Sequence, residues 1–333
     1  MKAFTINRYS KKDPLQLTEL PDPVVQDNEI LIQIHSASVN LLDSKIKSGE
    51  FKIILPYKMP LILGHDVAGI VIKAGSKVNK FKVGDEIYAR VSDFNIGTFA
   101  EQISVNENDV ALKPKNITMD EAASIPLVGL TAWQALVELG SLQKGQKVFI
   151  QAGSGGVGTF AIQLAKHLGA FVATTAGKSN FDLVKGLGAD IIIDYRNEDF
   201  ENILTDYDLV LNSQDTKTLE KSLTILKPGG KVVSISGPPT PAFATELGLP
   251  WYVKLVTQFL SSKIRRRAKK LNVDYSFLFM KANGNQLEKI ASLIEAGEIR
   301  PVIDKVFAFS ETNEAIGYVE SGHAKGKVVI RVR

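Results

Sequence analysis

Residues 147–175 read KVFIQAGSGGVGTFAIQLAKHLGAFVATT, and they determine one half of the fold. KVFIQ is a short apolar run typical of a buried strand, and TFAIQLAKHLG has the apolar spacing of a helix. The loop between them carries the pattern G-x-G-x-x-G at Gly153, Gly155 and Gly158. Because this pattern directly follows a strand and directly opens a helix, it predicts a dinucleotide-binding loop.

The three glycines have separate physical roles in such a loop. The first permits a tight turn, the second lets the backbone approach a pyrophosphate, and the third lets the helix pack closely on the strand. The helix N-terminus adds free N–H groups and the positive end of its dipole. A glycine-rich turn without a ligand is the alternative, which the flanking strand and helix disfavour. The predicted cofactor-binding residues of the loop are Gly153, Ser154, Gly155, Gly156, Val157 and Gly158.

The end of the next strand indicates which dinucleotide binds. An NAD site has Asp or Glu about 20 residues after the loop, where it holds the ribose 2′-hydroxyl. The segment VATTAGKSN has no acid there and offers Lys178 and Ser179, a cation and a hydroxyl that can bind a 2′-phosphate. A solvated surface lysine is the alternative for Lys178. We therefore predict NADPH as the cofactor, with Tyr195, Asn212 and Ser236 following or ending the later strands on the ligand side.

The rest of the chain divides into two regions with different sequence patterns. After the loop, the apolar segments AFVATT, DIIIDY, YDLVLNS and KVVSISG alternate with helical segments. This alternation predicts right-handed crossovers and a doubly wound parallel sheet, the Rossmann arrangement of the α/β class. Residues 1 to about 110 read instead as short strands broken by Gly, Pro, Asp and Asn, which is typical of an antiparallel, barrel-like half. Between them, Thr118 and Glu121 predict a capping box at the start of a helical region.

Composition narrows the function classes. The 333 residues are 44% hydrophobic and 23% charged with a net charge of +4, which describes a globular chain long enough for two domains. The chain has no cysteine, so disulfides, iron–sulfur clusters, thiolate zinc sites and cysteine nucleophiles are excluded. The first residues, MKAFTINRYS, contain no apolar signal segment. From these features we expect a cytoplasmic protein.

Two neighbouring segments could indicate a macromolecular partner. GLPWYVKLVTQFL (248–260) is apolar but too short to span a bilayer, so we expect a helix that lines or covers a pocket, or packs in the core. KIRRRAKK (263–270) has six basic residues, which suits either an anionic surface or a solvated face. We favour the solvated face because no aromatic platform accompanies it. We expect no nucleic-acid partner and no membrane partner.

Four motifs together resemble a known family. GHDVAG (64–69), TAWQAL (131–136), AGSGGVG (152–158) and GKVVIRV (326–332) occur in the order found in the medium-chain dehydrogenase/reductase superfamily. Within it the chain is most similar to zinc-independent quinone oxidoreductases of the ζ-crystallin and plant alkenal/enone types, over essentially its whole length. The resemblance implies NADPH and a homodimer that pairs along late strands such as VDYSFLFM (273–280).

The same resemblance implies a domain organisation. A GroES-like β-barrel catalytic domain would comprise residues 1–125 and 282–333, and a Rossmann NADPH-binding domain would comprise residues 126–281. It also adds Thr131, in the TAWQAL motif, to the cofactor-binding residues.

Zinc-dependent members of that superfamily bind their catalytic zinc with a cysteine, the histidine of a GHE stretch and a further ligand, usually cysteine. His65 matches the histidine, but the other two regions read SASVNLLDSK and IPLVGLTAW, and Gly129 cannot coordinate a metal. A catalytic zinc needs three protein ligands. We therefore expect no metal, and we interpret His65 as a hydrogen-bonded turn residue.

The absence of a zinc site restricts the chemistry. Hydride reduction of a plain ketone needs an acid or a metal to stabilise the developing alkoxide, and the chain has no Tyr-x-x-x-Lys pair. The β-carbon of an α,β-unsaturated carbonyl, or a quinone, is already electrophilic. We therefore predict an NADPH-dependent reductase of quinones, enones or enals.

Two residues are candidates near the reacting carbon. Asn40 follows a predicted strand, where its amide could bond the cofactor ribose or the substrate carbonyl, and a turn-former is the alternative. The family that the chain resembles often has a tyrosine of this region at the pocket mouth, which implies Tyr57 as a candidate there, and a packed loop aromatic is the alternative. We predict that Asp43 caps or pins the short helix that follows Asn40.

Two other functions stay open, namely an NADPH-binding protein without turnover in a structural or regulatory role, and a zinc alcohol dehydrogenase.

Overall fold

A computed structural model describes residues 1–333, which divide into two units. Unit 1 comprises Met1–Leu130 and Lys281–Arg333, and unit 2 comprises Thr131–Met280. The predicted domain boundaries fall after residues 125 and 281, and the two units divide after residues 130 and 280.

The strands are β1 (Lys2–Ile6), β2 (Gln16–Glu19), β3 (Glu29–Val39), β4 (Leu61–Ile62), β5 (Asp66–Ala74), β6 (Glu86–Arg90), β7 (Gln102–Asn106), β8 (Val110–Leu112), β9 (Lys147–Ile150), β10 (Phe171–Ala176), β11 (Ile191–Asp194), β12 (Tyr207–Asn212), β13 (Leu226–Ser234), β14 (Asp274–Phe277), β15 (Ile303–Ala308) and β16 (Lys327–Arg331). The helices are α1 (Leu41–Ser48), α2 (Met119–Ala123), α3 (Pro126–Trp133), α4 (Gly156–His167), α5 (Phe181–Gly186), α6 (Thr216–Ser222), α7 (Pro241–Glu246), α8 (Trp251–Leu260), α9 (Ser262–Lys270), α10 (Gly284–Glu295) and α11 (Thr312–Glu320).

Unit 2 contains a six-stranded parallel sheet in the order β11-β10-β9-β12-β13-β14. The first strand of unit 2, β9, lies between β10 and β12. The strands β10 and β11 follow it on one side, and the strands β12, β13 and β14 follow it on the other. The carboxyl ends of β9 and β12 therefore form the topological switch point, where ligands bind in open α/β sheets. The predicted Rossmann arrangement is confirmed.

The apolar strands of unit 2 are buried by helices that cover the sheet. Phe149, Val210 and Val232, from three adjacent strands, have no exposed surface and lie in one cluster with residues of α6 and α9. Continuous apolar runs of this kind are typical of parallel strands buried on both faces. The core therefore holds the carboxyl ends of β9, β10 and β12 in fixed register.

Unit 1 contains two sheets. One has the order β15-β16-β3-β5-β6-β8, with β7 also paired to β3, and only the β15–β16 pair is parallel. The other has the order β2-β1-β4 and is antiparallel. The predicted antiparallel, barrel-like half is confirmed. Its register pairs Ser38 with Asp66 and Val39 with Val328, which brings the end of β3 beside the starts of β5 and β16.

The predicted capping box at α2 is also confirmed. The Thr118 hydroxyl accepts a hydrogen bond from the Glu121 N–H at 3.3 Å, and the Glu121 carboxylate accepts one from the Thr118 N–H at 2.8 Å. These bonds satisfy donors that a helix start otherwise leaves without partners.

Helix α8 departs from its sequence prediction. Trp251 is 74% exposed and Phe259 is 80% exposed, and Thr257 is the only buried residue of the helix. Of the alternatives predicted for this segment, packing in the core is wrong, and a helix that lines or covers a pocket stays a prediction. A hydrophobic sequence favours burial but does not by itself supply a neighbour that covers it. No helix of the protein combines the length and apolarity needed to cross a membrane.

Candidate functional site

The glycine loop has the geometry that its sequence predicts. A Cβ added at Gly153 would lie 2.2 Å from Thr174 Oγ1, and one at Gly158 would lie 2.3 Å from the Ala152 carbonyl oxygen. Both glycines are therefore required by close packing within the protein. At Gly155 the nearest atom to an added Cβ is the Ala152 carbonyl oxygen, at 3.3 Å. Apart from this one close contact, no atom of the protein beyond the adjoining residues lies within 4 Å of that position, which leaves room for a pyrophosphate.

No side chain caps the N–H groups at the start of the helix that follows the loop. Gly155 is the N-cap of α4, no side chain caps the first turn, and the first turn has no acidic residue. The first N–H groups of a helix have no acceptor within the helix. They and the positive end of the helix dipole are consequently free to bind a phosphate group.

Hydrogen bonds from β10 and its flanks hold the loop. Thr175 Oγ1 accepts from the Ala152 N–H at 3.0 Å, and Asn180 Nδ2 donates to Ser154 Oγ at 3.2 Å. Asn180 Oδ1 is buried and has no partner in the protein. A buried acceptor without a donor costs free energy, so a bound group with a hydroxyl fits this position. The loop residues and Asn180 together fit a dinucleotide.

Two cations lie at the carboxyl end of β10. The parallel register pairs Ala176 with Asp194, so the residues after β11 lie beside Gly177 and Lys178. A Cβ added at Gly177 would lie 3.7 Å from Tyr195 Cε1 and 4.0 Å from Arg196 Cζ. Lys178, Tyr195 and Arg196 are all exposed, and so is Ser179. The arrangement offers two cations and a hydroxyl to an anionic group at this edge of the sheet.

The nearest acid at this edge is already engaged. Asp194 accepts hydrogen bonds from Asn197 Nδ2 at 2.6 Å and from the Arg196 N–H at 3.2 Å. The Asn197 hydrogen bond holds the pKa of the Asp194 carboxyl below its usual range, with further contributions from the Arg196 N–H bond and from the charges of Lys178 and Arg196. The carboxylate stabilises the turn after β11 and does not occupy the end of β10.

Asn212, at the end of β12, belongs to a buried polar network. Ser236 was predicted at the end of a strand, but β13 ends at Ser234, and Ser236 is an exposed residue 3.4 Å from Asn212 Oδ1. Asn212 has no exposed surface, donates to Gln151 Oε1 at 2.7 Å and accepts from Ser234 Oγ at 2.6 Å. Ser236 Oγ is exposed and donates to the Gln214 carbonyl at 2.6 Å. These bonds fix the loops at the switch point, and a direct contact of either residue with the cofactor stays a prediction. Thr131 is 4% exposed, and its predicted cofactor contact likewise stays a prediction.

In unit 1, Asn40 lies in a buried charged cluster. Lys327 Nζ donates to Asn40 Oδ1 at 2.5 Å and lies 3.2 Å from Asp66 Oδ2, which also accepts from Asn40 Nδ2 at 3.0 Å and from Ser38 Oγ at 2.8 Å. Lys327 is 5% exposed and Asp66 is fully buried. The other carboxylate oxygen of Asp66 accepts from the Leu127 N–H at 2.7 Å. The side chain of Asn40 is therefore held in one orientation.

His65 lies in a second buried cluster beside the first. Its Nδ1 is 2.6 Å from Asp43 Oδ1, and Asp43 Oδ2 accepts from the Asn40 N–H at 2.8 Å. Asp43 thus holds both the start of α1 and the imidazole ring, which confirms the predicted structural role of Asp43. Nε2 of His65 is buried without a hydrogen-bond partner, and Asp93 Oδ1 lies 3.8 Å away.

The residues around His65 do not fit a zinc ion. The carboxylate of Asp93 is ion-paired with Arg90, and no group of three His, Cys, Asp or Glu side chains is arranged to hold a metal. The segment in which the resemblance implies a cysteine ligand contains Asn40, and the amide of Asn40 is bonded to Lys327 and Asp66. No step of the chemistry below uses a metal.

Tyr57 is half-buried and directed at the backbone of unit 1. Its hydroxyl donates to the Asp93 carbonyl at 2.6 Å, and its N–H donates to Tyr9 Oη at 3.3 Å. Burial, and then the nearby charge of Asp93, raise the pKa of the Tyr57 hydroxyl well above its usual value. A phenol with this pKa keeps its proton at neutral pH and is a poor acid. Its predicted place at a pocket mouth is not tested by these contacts.

Several residues of these clusters were not predicted from the sequence. Lys327 stands in the GKVVIRV segment, whose sequence predicts only a closing strand. The signal that could have found it is a lysine at the start of a strand whose other residues are apolar, since such a charge needs a buried partner. Arg196 carries a similar signal, a cation directly after the third strand of a dinucleotide-binding sheet. Asp66 and Asn180 carry no comparable signal.

Comparison with known proteins gives consistent matches over both units. Residues 26–115 match the family described as alcohol dehydrogenase GroES-like domain, and residues 187–330 match the family described as zinc-binding dehydrogenase. The quinone oxidoreductase structure from Coxiella burnetii has a TM-score of 0.87 and 32% identity, covering 100% of this chain and 99% of that chain.

Two curated relatives are similar over nearly the whole chain. The Mus musculus protein named NAD(P)H oxidoreductase RTN4IP1, mitochondrial, is 38% identical over 100% of this chain and 89% of its own length. The Arabidopsis thaliana NADPH-dependent alkenal/one oxidoreductase, chloroplastic, is 36% identical over 99% of this chain and 79% of its own length.

These relatives correct one expectation. A plain cytoplasmic location was predicted, and it is wrong, because the relatives are named mitochondrial and chloroplastic. The prediction rested on the absence of an apolar signal segment and of cysteines. These features separate the secretory route from the rest of the cell, but they do not separate the cytosol from an organelle.

Proposed function

This chain belongs to the medium-chain dehydrogenase/reductase superfamily as an oxidoreductase of the quinone oxidoreductase-like kind, and we propose that it reduces quinones or α,β-unsaturated carbonyls with NADPH. The proposal includes direct transfer of hydride to the substrate, without a metal ion. The names of the alkenal/one oxidoreductase and the quinone oxidoreductase among its relatives support this substrate class.

The observation that carries the proposal is the carboxyl edge of the sheet in unit 2. The open face of Gly155 and the uncapped start of α4 provide a site for a pyrophosphate. Lys178 and Arg196 lie where an NAD site has an acid, and the neighbouring Asp194 is engaged with Asn197. These groups favour a dinucleotide with a 2′-phosphate.

When bound, NADPH supplies a hydride from C4 of its nicotinamide. The β-carbon of a conjugated carbonyl accepts a hydride without prior protonation, so the protein needs to orient the reactants and stabilise the carbonyl oxygen. We assign Asn40 to this role. Lys327 and Asp66 fix its amide, and one of its N–H groups makes only a 3.5 Å contact with the Ser38 carbonyl, which a better acceptor can replace.

The proton that the α-carbon requires comes in this proposal from water. Tyr57 donates its hydrogen bond to the Asp93 carbonyl, and burial raises the pKa of its hydroxyl, so it is retained as a residue that shapes the site. Tyr57, the second catalytic candidate, thus contributes to the shape of the site, and water supplies the proton.

We further propose that the protein is a homodimer joined along β14. This strand is the edge of the six-stranded sheet in unit 2, so one side of its backbone has no partner strand. Pairing of two such edges would satisfy these groups and extend the sheet across two subunits. Light scattering would report a mass of two chains, and a monomer at micromolar concentration would contradict this part of the proposal.

The test of the reaction uses NADPH deuterated at C4, with each of the two faces labelled in turn, and an enone substrate. We expect deuterium at the β-carbon of the product and unchanged turnover in the presence of a chelator. Deuterium at the carbonyl carbon would identify a ketone reductase. Tight NADPH binding without turnover on a panel of quinones, enones and enals would identify a dinucleotide-binding protein without this activity.

A further inference from the structure

Helix α8 turns its apolar side chains outward. Trp251, Leu255 and Phe259 are spaced by four residues, so they lie on one face of the helix, and all three are more than half exposed. Tyr252 and Val256 flank them and are also more than half exposed. A surface helix of a soluble protein ordinarily turns its apolar stripe inward.

The opposite side fixes α8 and α9 to unit 2. Thr257 and Ser261 are buried on this side, and α8 contacts the neighbouring helices α7 and α9. Ile264 and Ala268 of α9 are buried in the core cluster of unit 2. The outward face is therefore presented by anchored helices.

Helix α9 adds positive charge directly after the apolar face. Lys263 and Arg267 are ion-paired with Glu220, whereas Arg266, Lys269 and Lys270 have no acidic partner within ion-pair distance. The chain has no Asp or Glu between Glu246 and Asp274. The unpaired cations are exposed.

The sequence predicts no membrane partner, but the exposed face of α8 changes that expectation, and we propose that these two helices dock unit 2 on a lipid bilayer that contains anionic headgroups. The docking face is defined as Trp251, Tyr252, Leu255, Val256, Phe259 and Leu260 of α8 with Arg266, Lys269 and Lys270 of α9. The apolar side chains would enter the boundary between headgroups and acyl chains, and the cations would pair with anionic headgroups. This is binding in the plane of the interface, which needs no spanning helix.

Charge decides between a bilayer and other occupants. A second copy of this chain would bring three more unpaired cations into the interface, and the docking face has no Asp or Glu to pair with any of them. Nucleic acid would match the cations but would leave the aliphatic side chains of Leu255, Val256 and Leu260 without an apolar partner. An anionic bilayer matches both halves of the docking face.

The primary experiment measures binding of the full chain to vesicles of phosphatidylcholine, with and without 30% phosphatidylglycerol as the probe (about one anionic lipid in three). The chain has two tryptophans, so the Trp133→Phe variant leaves Trp251 as the only tryptophan reporter. We expect a blue shift of its emission and quenching by bromine atoms on the acyl chains, in the anionic vesicles. Co-sedimentation gives the partition coefficient.

Variants separate the two contributions. Each unpaired cation contributes about fivefold to binding on an anionic surface, so the triple variant R266Q/K269Q/K270Q should lose about a hundredfold. The triple variant K144Q/K185Q/K217Q removes the same charge from other exposed positions of unit 2 and should bind like the wild type. W251Q/F259Q should abolish insertion, whereas V24Q/I53Q, at two exposed apolar positions of unit 1, should not.

The proposal fails if the folded wild type does not bind anionic vesicles, or if the two charge variants lose binding equally. It also fails if W251Q/F259Q changes the oligomeric mass in solution without changing vesicle binding, since the face would then join two chains. Circular dichroism of each variant ensures that a loss of binding is not a loss of folding. The outcome is independent of the reaction proposed above, because none of these measurements uses turnover.

Discussion

The ammonium group of Lys327 lies 2.5 Å from the side-chain oxygen of Asn40, although the two residues are 287 positions apart in the chain. The same ammonium lies 3.2 Å from the carboxylate of Asp66, and all three side chains are buried. A buried cation and anion offset each other only while both are present. The orientation of Asn40 therefore depends on a charge supplied by the last strand.

Lys327→Met should destabilise the protein by about 3–5 kcal/mol, because it leaves the charge of Asp66 buried without its counterion. Urea unfolding measures this loss. The double variant K327M/D66N removes both charges and should recover a large part of it. If the double variant is as unstable as the sum of the single variants, the ion pair does not couple the two residues.

Asn40→Ala should lower kcat/KM for an enone by about 1–3 kcal/mol, equivalent to about 5- to 150-fold, if the amide bonds a group that gains charge in the transition state. Steady-state kinetics measures it, with NADPH affinity determined separately by fluorescence titration. Ser48→Ala, at a residue later in the same helix, is the control. An unchanged kcat/KM for Asn40→Ala would remove this residue from the catalytic role.

The glycine loop offers a matched pair of substitutions. Gly155→Ala adds a Cβ whose one close neighbour, the Ala152 carbonyl oxygen, is at 3.3 Å, so it should lower the melting temperature less than Gly158→Ala and weaken NADPH by more than about tenfold by blocking the pyrophosphate. Gly158→Ala places a Cβ 2.3 Å from the Ala152 carbonyl and should lower both stability and affinity. Thermal unfolding and NADPH titration separate the two effects. Full affinity in Gly155→Ala would mean that the phosphates lie elsewhere.

Cofactor preference should depend on Lys178 and Arg196 together. Removal of either charge should weaken NADPH about tenfold, and removal of both about a hundredfold, while NADH binding changes little. The two exposed cations interact through solvent, so the difference should shrink as salt is raised. Titration of each variant with both cofactors checks the prediction. Equal losses for NADPH and NADH would show that these residues do not recognise the 2′-phosphate.

The raised pKa of Tyr57 has a consequence at alkaline pH. In the unfolded chain this hydroxyl ionises near its usual value of about 10, whereas burial in the folded state delays ionisation to higher pH. Its contribution to stability is therefore complete below about pH 10 and is lost as the pH rises toward the folded value. Tyr57→Phe should make the free energy of unfolding fall less steeply above pH 10. Denaturant unfolding at several pH values measures the slope, with the exposed Tyr195→Phe as control.

A kinetic measurement complements this one. Between pH 6 and 9 the rate profile of Tyr57→Phe should keep the shape of the wild-type profile, because a hydroxyl with so high a pKa does not titrate there. Loss of an ionisation from the profile in this variant would instead identify Tyr57 as the proton donor.

The sequence by itself determined the local elements of this protein. The loop at Gly153–Gly158, the strands that alternate with helices after it, and the capping box at Thr118 are encoded within a few residues of one another. Such features depend on backbone conformation and on short-range hydrogen bonds, which neighbouring residues decide. The absence of cysteine likewise excluded a thiolate zinc site without any structure.

Only the tertiary structure decided which distant residues meet. The register of β16 on β3 pairs Val328 with Val39, which places Lys327 beside Asn40, and the register of β11 on β10 places Arg196 beside Gly177. Strand pairing across hundreds of residues depends on the packing of a whole sheet, so a local pattern does not contain it. The outward face of α8 has the same origin. Its hydrophobicity predicts a partner, but only the packed fold shows that this chain does not cover it.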